Sequence, residues 1–169
     1  MIRVKNNKQL EGIRYSCGIL TEVYYKVITN ISAGATTADL DNIARKEIAQ
    51  RGGTPAFLGY MGFPAALCTS LNNQVIHGIP SPKTVLQEGD IISLDCGVIY
   101  DGYYSDAAVT IPVGNISSDA EKLLQVTKES LYKGIAQAKA GNRLMDISRA
   151  VYDHATAYSM GVVREFCGH

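Results

Sequence analysis

Asp95 and Asp106, in the stretch GDIISLDCGVIYDGYYSDAAVTIP (residues 89–112), are the side chains whose type and spacing could do chemistry. Two β-rich runs, 91–100 and 103–111, flank Asp101-Gly102, the short-range signature of a tight antiparallel hairpin. With Asp101 and Gly102 as the two loop residues, Tyr100 pairs with Tyr103, and counting back sets Gly97 opposite Asp106 and Asp95 opposite Ala108. Those four residues then share one face, because side chains alternate along a strand, and the acids become diagonal neighbours roughly 5–8 Å apart at the backbone. Two like charges held that close disfavour each other, and a strand is a poor place for Asp, so a cation between them would compensate. Gly97 and Ala108 are small enough to leave room for an ion and a substrate. The same pair also fits the solvated face that antiparallel sheets commonly present.

Length and composition bound what can carry this hairpin. With 169 residues, 46% apolar and 19% charged, the chain reads as one soluble globular domain, not as a disordered or fibrous protein. Lys plus Arg and Asp plus Glu balance at 16 each and no basic block stands out, so net charge implies no nucleic-acid partner. The opening segment MIRVKNNKQLEG lacks the apolar stretch of a secretory signal, and no run approaches the length of a membrane span. A cytoplasmic protein with no membrane partner is expected. Cys17, Cys68, Cys96 and Cys167 are scattered without a CxxC pair and read as reduced thiols of that compartment.

The helices announce themselves by caps and period. Asn6 or Asn7 caps a first helix with apolar positions Leu10, Ile13, Cys17, Leu20, Tyr24 and Val27. Thr36 or Thr37 caps a second, with Leu40, Ile43, Ala44 and Ile48, stopped by Gly52-Gly53. Residues 54–64, rich in Gly, Pro and aromatics, read as an ordered loop. The run 66–71 reads as a short strand, Asn72-Asn73 as its turn and 74–79 as its return. Ser118 with Glu121 makes a capping box for a third helix bearing Leu123, Leu124, Leu131 and Ile135. A fourth carries Leu144, Ile147, Val151, Ala155 and Tyr158, and His154 on it reads as a solvated helix histidine. Residues 162–167 resemble the start of another strand.

An internal echo organises these elements. Ala33-Gly34 followed by Asp39-Leu40 matches Ala140-Gly141 followed by Asp146-Ile147 at a constant offset of 107, each time opening the second helix of a pair. Helix, helix, strands is followed by helix, helix, strand. The second copy is unfinished, which predicts that roughly 50 to 80 residues, strand and loop together, are missing at the C-terminus.

Three segments make a family resemblance specific. CTSLNNQVIHGIP at 68–80, LDCGVIYDGYYSDAAVT at 94–110 and VVREFCGH at 162–169 together resemble the type I methionine aminopeptidases, in order and in spacing, across nearly the whole chain. The resemblance implies the α/β (α+β) pita-bread fold of the creatinases and aminopeptidases, an antiparallel sheet covered by helix pairs, with residues 1–169 as a catalytic domain lacking its last strands. It implies a metal-dependent hydrolase that removes the N-terminal methionine from nascent polypeptides and peptides. The cofactor implied is two divalent metal ions, with Mn, Fe(II), Co and Zn all compatible with the ligand set. Carried over residue by residue, Asp95, Asp106 and His169 are metal ligands, and two Glu ligands would lie beyond His169. His77, in VIHGIP, matches a histidine that contacts the substrate and supports the tetrahedral intermediate; taken alone, it also fits a satisfied histidine at a strand end. Phe57, Tyr60, Phe63 and Cys68 match positions of the apolar pocket for the methionine side chain, although as bare residues such side chains are more often core than pocket.

Two consequences follow from the unfinished second copy. Three ligands of five are expected to support little or no turnover, and an uncovered sheet edge is expected to drive self-association or to leave a marginally stable monomer. Two alternatives remain beside the peptidase reading. One is a non-catalytic pita-bread module that binds peptides or proteins; the other is a proline-specific peptidase of the same fold.

Overall fold

Asn6 opens the first helix of the computed structural model, which describes residues 3–164. Its side chain accepts from the Gln9 backbone N–H at 2.9 Å while the Gln9 side chain accepts from the Asn6 N–H at 3.0 Å, a reciprocal cap that starts α1 (Asn7–Ile28). The buried stripe of α1 is Ser16, Ile19, Leu20, Val23 and Val27, whereas Cys17 is exposed. Of the expected stripe, Leu20 and Val27 are buried and Ile13 and Tyr24 half-buried, whereas Leu10 and Cys17 are exposed and Ser16, Ile19 and Val23 take the remaining buried places. The Ser16 hydroxyl lies 3.1 Å from the Val98 carbonyl and 2.9 Å from the Ser105 hydroxyl, so it can be buried without an orphaned group. Thr36 and Asp39 cap α2 (Thr37–Gln50) in the same reciprocal way, and Leu40, Ala44 and Ile48 face the interior.

Four strands follow: β1 (Thr54–Pro55), then, after a short 3-10 turn at Tyr60–Gly62, β2 (Leu67–Leu71), β3 (Ile91–Tyr100) and β4 (Tyr103–Pro112). β4 pairs antiparallel with β3 along its whole length, from Ile91↔Pro112 to Tyr100↔Tyr103. A strand has two edges, so β1 and β2, which pair with Val98–Ile99 and with residues 92–96, share the other. Helices α1 and α2 cover one face of this sheet, burying Val23, Val27, Leu40 and Ile48 against Leu67, Ile92, Leu94, Cys96 and Val98.

The strand expected over 74–79 does not form. After the turn at Asn72-Asn73 the chain runs without regular structure: Gln74 donates its N–H to the Leu71 carbonyl (2.8 Å) and accepts from the Leu71 N–H on its side chain (3.1 Å), and further on the Thr69 N–H donates to the Gly78 carbonyl (2.8 Å) and the Gly78 N–H to the Ser70 hydroxyl (3.0 Å). The serine side chain takes the donor that a ladder would have used. Gly78 lies so near β2 that a Cβ would overlap the Thr69 carbonyl.

Chain contacts divide the molecule into two compact units, the first ending at Ile116 and the second beginning at Ser117. The second holds α3 (Ser118–Ile135) and α4 (Leu144–Ala157). The cap of α3 is Ser117, whose hydroxyl accepts from Ala120 N–H at 3.2 Å, and not Ser118, which is the first helical residue. The helices meet closely at Gly134, where a Cβ would come within 3.0 Å of Val151. His154 is not the solvated histidine expected of it: its Nε2 lies 3.0 Å from Glu129 of α3, and its side chain is only 13% exposed. Residues 162–164 carry no regular structure, and the remainder of the strand expected over 162–167 falls outside the described residues.

Candidate metal centre

Asp101 (φ +48°) and Gly102 (φ +76°) both adopt the left-handed region, the requirement of the two-residue turn that matches strand twist. That turn fixes the register: Tyr100↔Tyr103, Gly97↔Asp106 and Asp95↔Ala108. Asp95 and Asp106 therefore stand on one face of adjacent strands, as the sequence predicts. The opposite face locks them there. Leu94, Cys96 and Val98 are fully buried against the helices, so a slip of one residue would drive the acids into the core.

Cys68 on β2 is the direct cross-strand partner of Asp95. Its thiol is pushed up to about 12, first by burial and then by the charges of Asp95 and Asp106. The Cys96 thiol is also pushed up to about 12, again by burial first and Asp95 second. Both acids raise the Tyr24 phenol as well, after burial and Cys96. In all three burial acts first and the nearby carboxylates add to it, as expected where two acids stand together, a setting that a cation would relieve.

The space beside the acids is used differently from the expectation that Gly97 and Ala108 both leave room. Ala108 is exposed, but a Cβ on Gly97 would come within 2.9 Å of both the Ala56 Cβ and the Phe57 ring. Gly97 is small so that the segment after β1 can lie over the sheet, anchored by the Ala56 N–H on the Gly97 carbonyl at 2.9 Å. The consequence is that Phe57 reaches the row that holds Asp106, just as Cys68 reaches Asp95. Tyr60 sits in the 3-10 turn, 69% exposed, and Phe63, half-buried, closes that turn by donating its N–H to the Tyr60 carbonyl at 2.9 Å. His77 is exposed, at φ +57°, one residue before the tightly seated Gly78. His169 lies outside the described residues.

Among the described residues no group of three His, Cys, Asp or Glu side chains is placed to hold a metal ion. Asp95 and Asp106 supply two hard carboxylate donors on one sheet face, inside a field that repels further negative charge. That donor chemistry fits a divalent ion.

Residues 11–169 match the model of metallopeptidase family M24. A methionine aminopeptidase of Clostridium acetobutylicum is 48% identical over 169 residues, covering 100% of this chain and 68% of that protein. The chain belongs to the methionine aminopeptidases of family M24. The fold is that of the family too: a crystal structure of methionine aminopeptidase from Rickettsia prowazekii superposes with a TM-score of 0.97 at 34% identity, over 100% of this chain and 68% of that one. An X-Pro aminopeptidase from Thermotoga maritima, 18% identical over 92% of this chain and 42% of its own, shares the pita-bread fold alone, with a TM-score of 0.79. The chain therefore spans about two thirds of the methionine aminopeptidases it matches, and family membership implies divalent metal cofactors.

Two positioning features of this family member escaped the sequence. Asp41, only 6% exposed, accepts the N–H groups of Ala66 (2.8 Å) and Leu67 (3.0 Å) on Oδ1 and pairs with Arg45 at 2.6 Å on Oδ2, which fixes where β2, and hence Cys68, begins. The helical period hides it, because an acid beside Leu40 reads as a surface residue. Tyr24 was legible as an apolar position of α1, but the use of its hydroxyl was not.

Proposed function

We propose that this chain carries the aspartate pair and the methionine pocket of a metalloaminopeptidase that removes N-terminal methionine from nascent polypeptides and peptides. The observation that carries the reading is the register that sets Asp95 and Asp106 side by side, with Cys68 and Phe57 brought to the same face. Asp95 and Asp106, with His169, would hold the divalent ions. When bound, such a pair of ions activates water and polarises the scissile carbonyl, as is general for two-metal aminopeptidases.

The residues around them have separate tasks. Phe57, Tyr60, Phe63 and Cys68 receive the methionine side chain. Raised to about 12, the Cys68 thiol stays protonated at neutral pH and offers a soft apolar wall to a thioether, where a thiolate would add a third negative charge. His77 donates to the substrate carbonyl as it becomes tetrahedral, a contact that strengthens with developing charge. The retained acid pair argues against a non-catalytic peptide-binding module, which has no need of it. Likeness to proline peptidases extends to the fold alone.

The test is binding and release of methionine from Met-Ala, with Mn(II) or Co(II), by chain verified by mass. Cation-dependent binding of Met-Ala is the expected result. Absence of any cation-dependent binding would overturn the reading.

A further inference from the structure

We propose that Tyr24 is a positioning residue for the acid pair: from α1, its hydroxyl donates to the β4 backbone at Ala107, immediately beside Asp106, while lying 3.3 Å from the Leu94 carbonyl of β3, immediately beside Asp95. This rests on the metal-centre reading above and adds to it the part that sets the spacing of the carboxylates. The Tyr24 hydroxyl lies 3.3 Å from the Leu94 carbonyl and makes its shortest contact with the carbonyl of Ala107. Leu94 immediately precedes Asp95, and Ala107 immediately follows Asp106.

The two strands do not need this contact equally. β3 lies inside the sheet, held by β1 and β2 on one edge and β4 on the other, whereas β4 pairs only with β3 among the described residues. The strand bearing Asp106 is therefore the one whose placement calls for support from outside the ladder. It receives that support on both sides of the acid. Ser105 donates to the Ser16 carbonyl at 3.0 Å, and Ala107 accepts from Tyr24, so both chain neighbours of Asp106 are fastened to α1. A phenylalanine would fill the same space. Only the hydroxyl can donate to the β4 backbone beside Asp106, and groups that orient ligands from behind typically govern metal affinity.

The experiment titrates Mn(II) by calorimetry into the full chain, into Tyr24→Phe, and into Tyr25→Phe, a neighbouring ring that is 64% exposed, as matched control. Melting temperatures are recorded for each with and without Mn(II). Tyr24→Phe is expected to bind Mn(II) roughly tenfold or more weakly and to show a smaller Mn(II)-induced rise in melting temperature, with Tyr25→Phe matching the parent. A tyrosine with only a structural role would lower the melting temperature equally with and without Mn(II) and leave the affinity unchanged; that result overturns the proposal. A parent chain that binds no Mn(II) overturns the metal reading and this proposal with it, whereas a parent and Tyr24→Phe of equal affinity overturn the role of Tyr24 alone. If Tyr24→Phe is unfolded in plain buffer, all three proteins are compared in trimethylamine N-oxide, which favours the folded state by exclusion. A variant still unfolded there assigns Tyr24 a structural role and likewise overturns the proposal.

Discussion

The two helix pairs begin their second helices in the same way and end in different surroundings. Gly34 (φ +94°) leads to the cap at Thr36, whose N–H is accepted by Asp39 at 3.0 Å; Gly141 (φ +92°) leads to Arg143, whose N–H is accepted by Asp146 at 2.7 Å. The echo in the sequence is therefore an echo of local structure, with a left-handed glycine, a cap two residues on and an aspartate three beyond it. The interiors differ. Helix α2 buries Thr37, Leu40, Asp41, Ala44 and Ile48, against Ala155 alone on α4. Four strands accompany the first pair, and no strand accompanies the second among the described residues. Helix initiation is thus encoded within a few residues, but burial of a helix face depends on what lies across from it.

Truncating one leucine in each pair puts the greatest strain on that contrast. Leu40 is 0% exposed in the first core and Leu144, near the start of α4, is 79% exposed. Leu40→Ala should cost about 2–5 kcal/mol, and Leu144→Ala within about 0.5 kcal/mol, by denaturant unfolding. Comparable losses at both positions would mean that α4 buries its face in solution, which would break the contrast. A smaller effect sharpens the shared part. Thr36→Ala removes the cap hydroxyl and should cost about 1 kcal/mol.

The same cap also predicts a dependence on pH. The Asp39 carboxyl is held below its ordinary value by hydrogen bonds from the Thr36 side chain and backbone. Its contribution is present above the unfolded-state value and lost as pH falls through the lower, folded one, so stability should decline on that acid limb. In Asp39→Asn that part of the decline should vanish; an unaltered acid limb would remove Asp39 from the account.

What was legible in the sequence follows the range of the interactions involved. The hairpin register could be counted because Asp101-Gly102 demands one turn geometry and strands alternate strictly from it. Helix starts were legible to within a residue, the miss at Ser117 being a choice between adjacent serines. Features set by distant contacts were not. Ser16 faces the core only because Val98 and Ser105 satisfy its hydroxyl, and residues 74–79, β-rich in composition, lose their ladder to the Ser70 side chain and the close seat of Gly78. Gly97 was correctly singled out as small, yet its smallness admits Phe57, a contact that only the path of the following loop decides. Of the site, the acid pair came from local pattern and Cys68 from the family resemblance alone; the roles of Tyr24 and Asp41, each reaching across many residues, came from neither.

The central claim is that Asp95 and Asp106 share a divalent ion, and Co(II) absorption spectroscopy tests it most directly, because ligand-field bands report the donor set. Co(II) added to the chain should give saturable visible bands that Asp95→Asn and Asp106→Asn, equal in shape but uncharged, each abolish. A parent chain without such bands, or either Asn variant retaining them at the same affinity, would contradict it.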